Sequence, residues 1–156
     1  RELQKETGGI TEFIPLPYVS MESPMYKRGK ARPGPTFNEV LLMHAVSRIA
    51  LNPYINNIQA SWVKLGKEGA LSCLNAGVND MGGTLMNESI SRAAGSIHGQ
   101  EFEAKRMEKF IKDCGRLPQQ RNTLYESIHS DEMSEISFDV SIARMQSFLD
   151  SAHPVV

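Results

Sequence analysis

Cysteine is scarce in this chain: two in 156 residues, Cys73 and Cys114, far apart in sequence. That excludes a disulfide framework and any standard metal-ligand spacing. Both fall on expected helix faces, where inert buried thiols are the commoner case, and a reducing compartment fits best, the cytoplasm first with an organelle as the alternative. Long hydrophobic runs are also missing, so no segment can span a bilayer as a helix. Charge of one sign is missing too: 17 basic against 18 acidic residues leave a formal net charge of -1. No global attraction to nucleic acid or to an anionic membrane follows, and neither is expected as a partner. Internal repeats, low-complexity stretches and a targeting segment are not evident. What remains is an ordinary globular composition, 40% hydrophobic and 22% charged, in a chain long enough for one domain with a core.

The most informative stretch present is Asn79 to Ser96, NDMGGTLMNESISRAAGS. A short apolar lead-in ends at Val78, and then Asn79, Asp80, Gly82, Gly83, Thr84, Asn87, Glu88, Ser91 and Arg92 crowd together. The run is too polar for a core. With Met81, Leu85, Met86 and Ile90 it is too apolar for a linker. Glycine lets a backbone approach a ligand closely, and polar side chains beside such a loop suggest a binding site on a rigid scaffold.

Around it, strand and helix patterns alternate. RELQKETGGI reads as the end of a helix and a Gly-Gly turn before a strand, so the natural start is expected upstream. Thr11 to Val19 is β-rich, with Pro15 and Pro17 limiting its ladder. Thr36-Phe37-Asn38-Glu39 is a capping box that opens a helix ending near Asn52-Pro53. Ile58 to Val63 alternates as a strand. A short helix from Lys67 ends at Gly77, and a brief strand runs into the glycine loop. Met107, Phe110, Ile111 and Cys114 give an amphipathic helix closed by Gly115 and Pro118. Asn122 to Tyr125 reads as a last strand, and Phe138, Ile142, Met145 and Leu149 as a tail helix. The class is α/β with about four parallel strands. Residues 1–125 form one unit and residues 126–156 an extension, helical in part.

Four polar clusters fall where strands end, the place at which βα folds carry their chemistry. They are Glu12 with Pro15 and Pro17; Gln59, Ser61, Trp62 and Lys64; the glycine loop; and Arg121, Asn122, Thr123 and Tyr125. Each also has a bland reading. Glu12 is as well a solvated strand-end charge, Trp62 as well a core residue, Lys64 by itself a surface lysine. His44 lies among apolar helical residues and reads as packed. His98, flanked by Gly95, Ser96 and Gly99, is the histidine suited to moving a proton near neutral pH. His129 and His153 read as solvated. The basic patch Lys27, Arg28, Lys30, Arg32 reads as a solvated loop, since only Tyr26 offers a stacking ring.

TGGITEFIPLPYV, KARPGPTFNEVLLMHAVSRIAL, NIQASWVKLG, AGVNDMGGTLMNESISRAAGSIHGQ and GRLPQQRNTLY together resemble the C-terminal half of a radical SAM enzyme. The resemblance is to the FO synthase subunit or domain that joins tyrosine to 5-amino-6-ribitylaminouracil in making the deazaflavin chromophore. It covers about residues 1–125. It implies the C-terminal half of a TIM-type (β/α) barrel, with S-adenosylmethionine and a 4Fe-4S cluster as cofactors. It implies tyrosine and the ribitylaminouracil as substrates. The upstream half of the barrel and a companion cyclising subunit or domain are the implied partners. In that chemistry a deoxyadenosyl radical activates tyrosine, whose Cα–Cβ bond breaks, and the hydroxybenzyl fragment adds to the uracil ring. One departure is decisive: the family's CxxxCxxC loop is absent. The chain by itself is therefore expected to be inactive and marginally stable. On the resemblance, Gln59, Ser61 and Lys64 hold the adenosyl moiety or tyrosine, with Glu12 and Trp62 at the same mouth. Asn79, Asp80, Gly82, Gly83, Thr84 and Glu88 take the uracil and ribityl groups. Arg92 or Arg121 pairs with a carboxylate, and His98 transfers a proton. Two other readings stay open: a menaquinone-pathway relative acting on a futalosine-type substrate, and a non-catalytic module that binds a ligand or partner.

Overall fold

In the computed structural model, which describes residues 1–128, the chain divides into two compact units, Arg1–Phe110 and Ile111–Val156. The expected tail helix, His129 and His153 lie outside the described residues.

The first unit begins with α1 (Glu2–Thr7), closed by Gly8 in the left-handed conformation. Then follow β1 (Glu12–Phe13), α2 (Pro24–Lys27), α3 (Phe37–Leu51), β2 (Asn57–Ile58), α4 (Trp62–Asn75) and α5 (Ile90–Ala93), with α6 spanning Ala104–Asp113. β1 and β2 are parallel, pairing Glu12 with Asn57 and Phe13 with Ile58. On the other side of β2 a parallel bridge joins Gln59 to Asp80. β2 is thus the middle segment of three: the Gln59 amide donates to Phe13, whereas the Asn79 and Asp80 amides donate to the Ile58 carbonyl.

Fewer and shorter strands form than the sequence suggests. Thr11–Val19 yields only Glu12–Phe13, because Pro15 and Pro17 offer no N–H to a neighbour. Ile58–Val63 leaves the ladder after Ala60, with Ser61 as the N-cap of α4, so Trp62, Val63 and Lys64 lie on a helix's first turn. Gly66 breaks that helix with φ 71° and ψ 179°, and the helix expected from Lys67 is its second segment. The brief strand before the glycine loop is a single bridge. In the second unit, Asn122–Tyr125 is a turn rather than a strand, spanned by an antiparallel bridge between Arg121 and Ser127.

The capping box on α3 is complete. Thr36 Oγ1 accepts from the Glu39 amide, and the Thr36 amide donates to Glu39 Oε2 at 2.7 Å. Bonds from the Thr36 backbone and hydroxyl, with Arg32 third, hold the Glu39 carboxyl below its ordinary pKa. The inward face of α3 carries Val40, His44 and Ser47 at helical spacing and packs on α4 and β2. The same buried core holds Ile58, Ala70, Cys73, Leu74 and Val78. His44 is fully buried, as its apolar neighbours implied. Nδ1 lies 2.8 Å from the Val40 carbonyl, and Nε2 has no partner among the described residues. Burial pushes the Cys73 thiol up to about 11. Ala76 ends α4 and Gly77 follows it with φ 104°. No helix of the described residues is long and apolar enough to cross a membrane.

Candidate functional site

At the C-terminal ends of β2 and of the Asn79–Asp80 segment, the chain leaves a cleft of about 230 Å3. Gln59 and Ser61 line it from the end of β2, and Trp62 and Val63 from the first turn of α4. Met81, Gly82, Gly83 and Leu85 close the other side. Two sequence clusters thus share one cleft, because the Gln59–Asp80 bridge sets the strand end directly against the glycine loop.

Local bonds shape that cleft. Asp80 Oδ1 accepts from the Gly82 amide at 2.6 Å, turning the chain sharply. Gly82 has φ 74°, and a Cβ there would come within 2.5 Å of Gln59 Nε2. Glycine is required for both reasons: the left-handed backbone and the carboxamide against its Cα. The Trp62 indole N–H donates to the Gly83 carbonyl at 3.2 Å, so its ring is fixed at the cleft rather than simply stored in the core. Behind it stands Phe102, edge-on at 5.4 Å.

Next to the cleft lies a second polar group. Lys64 Nζ donates to Ser91 Oγ at 3.1 Å, and both Glu88 carboxylate oxygens accept from the Ser91 amide at 2.9 and 3.1 Å. The loop from Glu88 to Gln100 closes on itself. The Glu88 amide donates to the Gln100 carbonyl, and Gln100 Nε2 donates to the Glu88 carbonyl. Ser96 Oγ donates to the Val63 carbonyl at 3.2 Å, tying the loop to α4. His98 is half-buried against Gly66, where a Cβ would meet Nδ1 at 2.8 Å. It does not line the cleft.

Several expected ligand groups have structural partners instead. Asn79 Oδ1 accepts from Arg48 Nη2 at 2.7 Å and from the Ile58 amide at 2.9 Å. The Arg92 guanidinium donates to Gln100 Oε1 at 2.7 Å, on the exposed surface. Glu12 is half-buried in β1, and Thr84 is exposed. Arg121 belongs to the second unit, its guanidinium 3.9 Å above the Tyr125 ring.

Arg48, not among the expected site residues, braces the starts of the two segments whose far ends form the cleft. From the last turn of α3 it donates through Nε to the Gly77 carbonyl at 2.6 Å and through Nη1 to the Asn56 carbonyl at 2.8 Å. With the bond to Asn79, one guanidinium ties the lead-in to the middle strand to the neighbouring Gly77–Asn79 segment. Desolvation lowers its pKa. A basic residue in the last helical turn was the available signal; its partners, distant in sequence, were not.

Residues 7–134 match the family described as the CofH/MqnC C-terminal region. The chain is 50% identical, over 82% of its length, to the 5-amino-6-(D-ribitylamino)uracil--L-tyrosine 4-hydroxyphenyl transferase of Methanopyrus kandleri. It is 52% identical over 83% to transferase 1 of that name from Methanosarcina mazei. It is 49% identical over 80% to the FO synthase of Mycobacterium leprae. It spans 35% of the length of each archaeal relative and 14% of the mycobacterial one.

Proposed function

The chain belongs to the CofH/MqnC C-terminal region family, and on that premise we propose that it is the C-terminal part of a radical SAM transferase. The enzyme joins the 4-hydroxybenzyl group of tyrosine to 5-amino-6-ribitylaminouracil in deazaflavin synthesis. The observation that carries this reading is the cleft beyond the parallel strand ends, where a carboxamide, a hydroxyl and an indole converge beside a glycine turn. Sites in βα folds form at that end of the strands. Relatives about 50% identical are named for this transfer, which supports the choice of substrates.

On this reading residues 1–125 are the later part of a (β/α) barrel whose earlier strands lie in the rest of the enzyme, which acts in the cytoplasm beside the cyclising subunit or domain. The described residues do not fit an iron–sulfur cluster. They contain no group of three His, Cys, Asp or Glu placed to hold a metal. Cys73 is fully buried with a raised thiol pKa, the opposite of what a thiolate ligand needs. The cluster's ligands belong elsewhere in the enzyme. The cleft is also smaller than the 300–1,000 Å3 of typical ligand pockets, roughly the room for one ring rather than for a whole S-adenosylmethionine.

This chain's part is to bind, orient and exclude water. The indole and Met81 supply an apolar wall. Lys64, held by Ser91 beside the Glu88 carboxylate, offers a cation to a carboxylate or to ribityl hydroxyls. His98 remains the residue proposed to move a proton.

The test is anaerobic turnover with tyrosine, the ribitylaminouracil and S-adenosylmethionine. The chain joined to a family cluster-bearing portion is expected to form the adduct, and the 156-residue chain alone to form neither adduct nor deoxyadenosine. A stable 4Fe-4S spectrum with deoxyadenosine production from this chain alone would refute the reading, as would a joined protein that cleaves S-adenosylmethionine but never forms adduct.

A further inference from the structure

Two polar side chains in the cleft have no task within the fold. Neither the carboxamide of Gln59 nor the hydroxyl of Ser61 has a hydrogen-bond partner among the described residues. Ser61 is the N-cap of α4, the position at which serine ordinarily bonds a helix amide, yet its side chain makes no such bond. The two residues are two apart on an extended segment and so share a face. The rest of the lining is apolar or backbone: Trp62, Val63, Met81, Leu85 and the two glycines.

The loop also bears on Gln59. Its Nε2 lies close over Gly82, in the space a Cβ would fill, and the Asp80 turn fixes Gly82. The carboxamide nitrogen therefore packs directly on the glycine turn, as only a glycine there allows. Trp62, which also lines the cleft, is fixed by its own bond to Gly83. The half-buried carboxamide keeps its donor and acceptor open to the cleft, where a ligand can take them in place of water. A terminal carboxamide presents one donor beside one acceptor, and its complement is a planar edge with an acceptor beside a donor.

We propose that Gln59 is a specificity-determining residue that reads the edge of a flat six-membered heterocycle, bonding an adjacent ring N–H and C=O, or the equivalent amino and ring-nitrogen pair. Ser61 bonds a neighbouring substituent, and the ring lies against Trp62. This deepens the functional reading above and rests on it for the candidate rings. The imide edge of the ribitylaminouracil and the adenine edge of S-adenosylmethionine both have this chemistry.

The experiment has two arms on the full-length enzyme. In the first, KM is measured separately for tyrosine, the ribitylaminouracil and S-adenosylmethionine in the parent, Gln59→Leu and Gln59→Glu. Losing two hydrogen bonds should raise KM for one ring-bearing ligand by about tenfold to a hundredfold, with tyrosine unaffected. Gln59→Glu should fare no better, since the donor becomes an acceptor. A rise confined to the ribitylaminouracil assigns the uracil edge, and one confined to S-adenosylmethionine assigns adenine. No change, a rise for tyrosine alone, or an equal rise for all three overturns the proposal.

The second arm needs no variant and no turnover. Titration calorimetry compares the ribitylaminouracil with its N3-methyl analogue, and S-adenosylmethionine with its N6-dimethyl analogue. At least tenfold weaker binding of one methylated ligand is expected, and equal binding of both pairs overturns the proposal. Discrimination without adduct formation would leave the edge-reading inference standing while the transferase reading falls.

Discussion

Replacement of Phe102 by alanine is expected to destabilise the first unit by about 3–5 kcal/mol, the usual range for emptying a buried phenylalanine site. Phe102 is 1% exposed. Its ring meets Trp62 edge-on at 5.4 Å and Phe110 at 5.9 Å, and the Lys67 ammonium lies 4.9 Å from its centroid. Alanine removes all three contacts and leaves a void behind the indole that forms the cleft wall. Stabilities of natural domains run to about 5–15 kcal/mol, so this loss is a large share of the total. Trp62 is the sole tryptophan, which makes the chain its own reporter. Urea unfolding followed by fluorescence should show a lower midpoint and a red-shifted native emission. Phe102→Leu, which refills part of the site, should recover about half of the loss. A shift of less than about 1 kcal/mol for the alanine variant would mean that this cluster does not support the cleft.

The second large effect is expected at Arg48. Replacing it with methionine keeps an unbranched stem against Gly77 but removes the donors to Gly77, Asn56 and Asn79. Hydrogen bonds from charged donors are worth about 1.5–3 kcal/mol each when lost in a dry site. Water reaches this half-exposed one, so roughly 2–3 kcal/mol in all is expected. Arg48→Lys should rescue little, because an ammonium cannot reproduce a planar fork spread over three acceptors. Ligand binding should weaken along with stability, since the Asn79 side chain that positions β2 loses its support. Unchanged urea midpoints together with unchanged ligand titration would show that the guanidinium is only a surface decoration.

What could be read from sequence was what is local. The Thr36 capping box, the stop at Asn52, the glycine after α4 and the buried stripe Val40, His44, Ser47 each depend on residues a turn or less apart. The site was legible in part: of the strand-end residues expected at one mouth, Gln59, Ser61, Trp62, Gly82 and Gly83 line the cleft, whereas Lys64, Asp80, Glu88 and His98 do not. The strand lengths were not legible. Alternating apolar residues from Ile58 to Val63 look the same whether the chain stays extended or turns into a helix at Ser61, since Trp62 and Val63 are buried either way. The duties of Asn79 and Arg92 were hidden for another reason. A polar side chain in a glycine-rich loop looks like a ligand group until its distant partner is known, here Arg48 for one and Gln100 for the other.

The middle position of β2 has a kinetic corollary. Its contacts with Asn79 span 21 residues of chain, whereas those between Asn57 and Thr11 span 46. Doubling a loop adds about 0.6 kcal/mol to the entropy of closing it. Other things being equal, the cleft-forming half of the sheet closes first, and β1 docks onto an edge that already exists. Truncating Phe13 should then quicken unfolding while leaving the refolding rate nearly untouched, whereas truncating Ile58 should slow refolding. Stopped-flow traces of the two variants would reveal the opposite order if β1 nucleates instead.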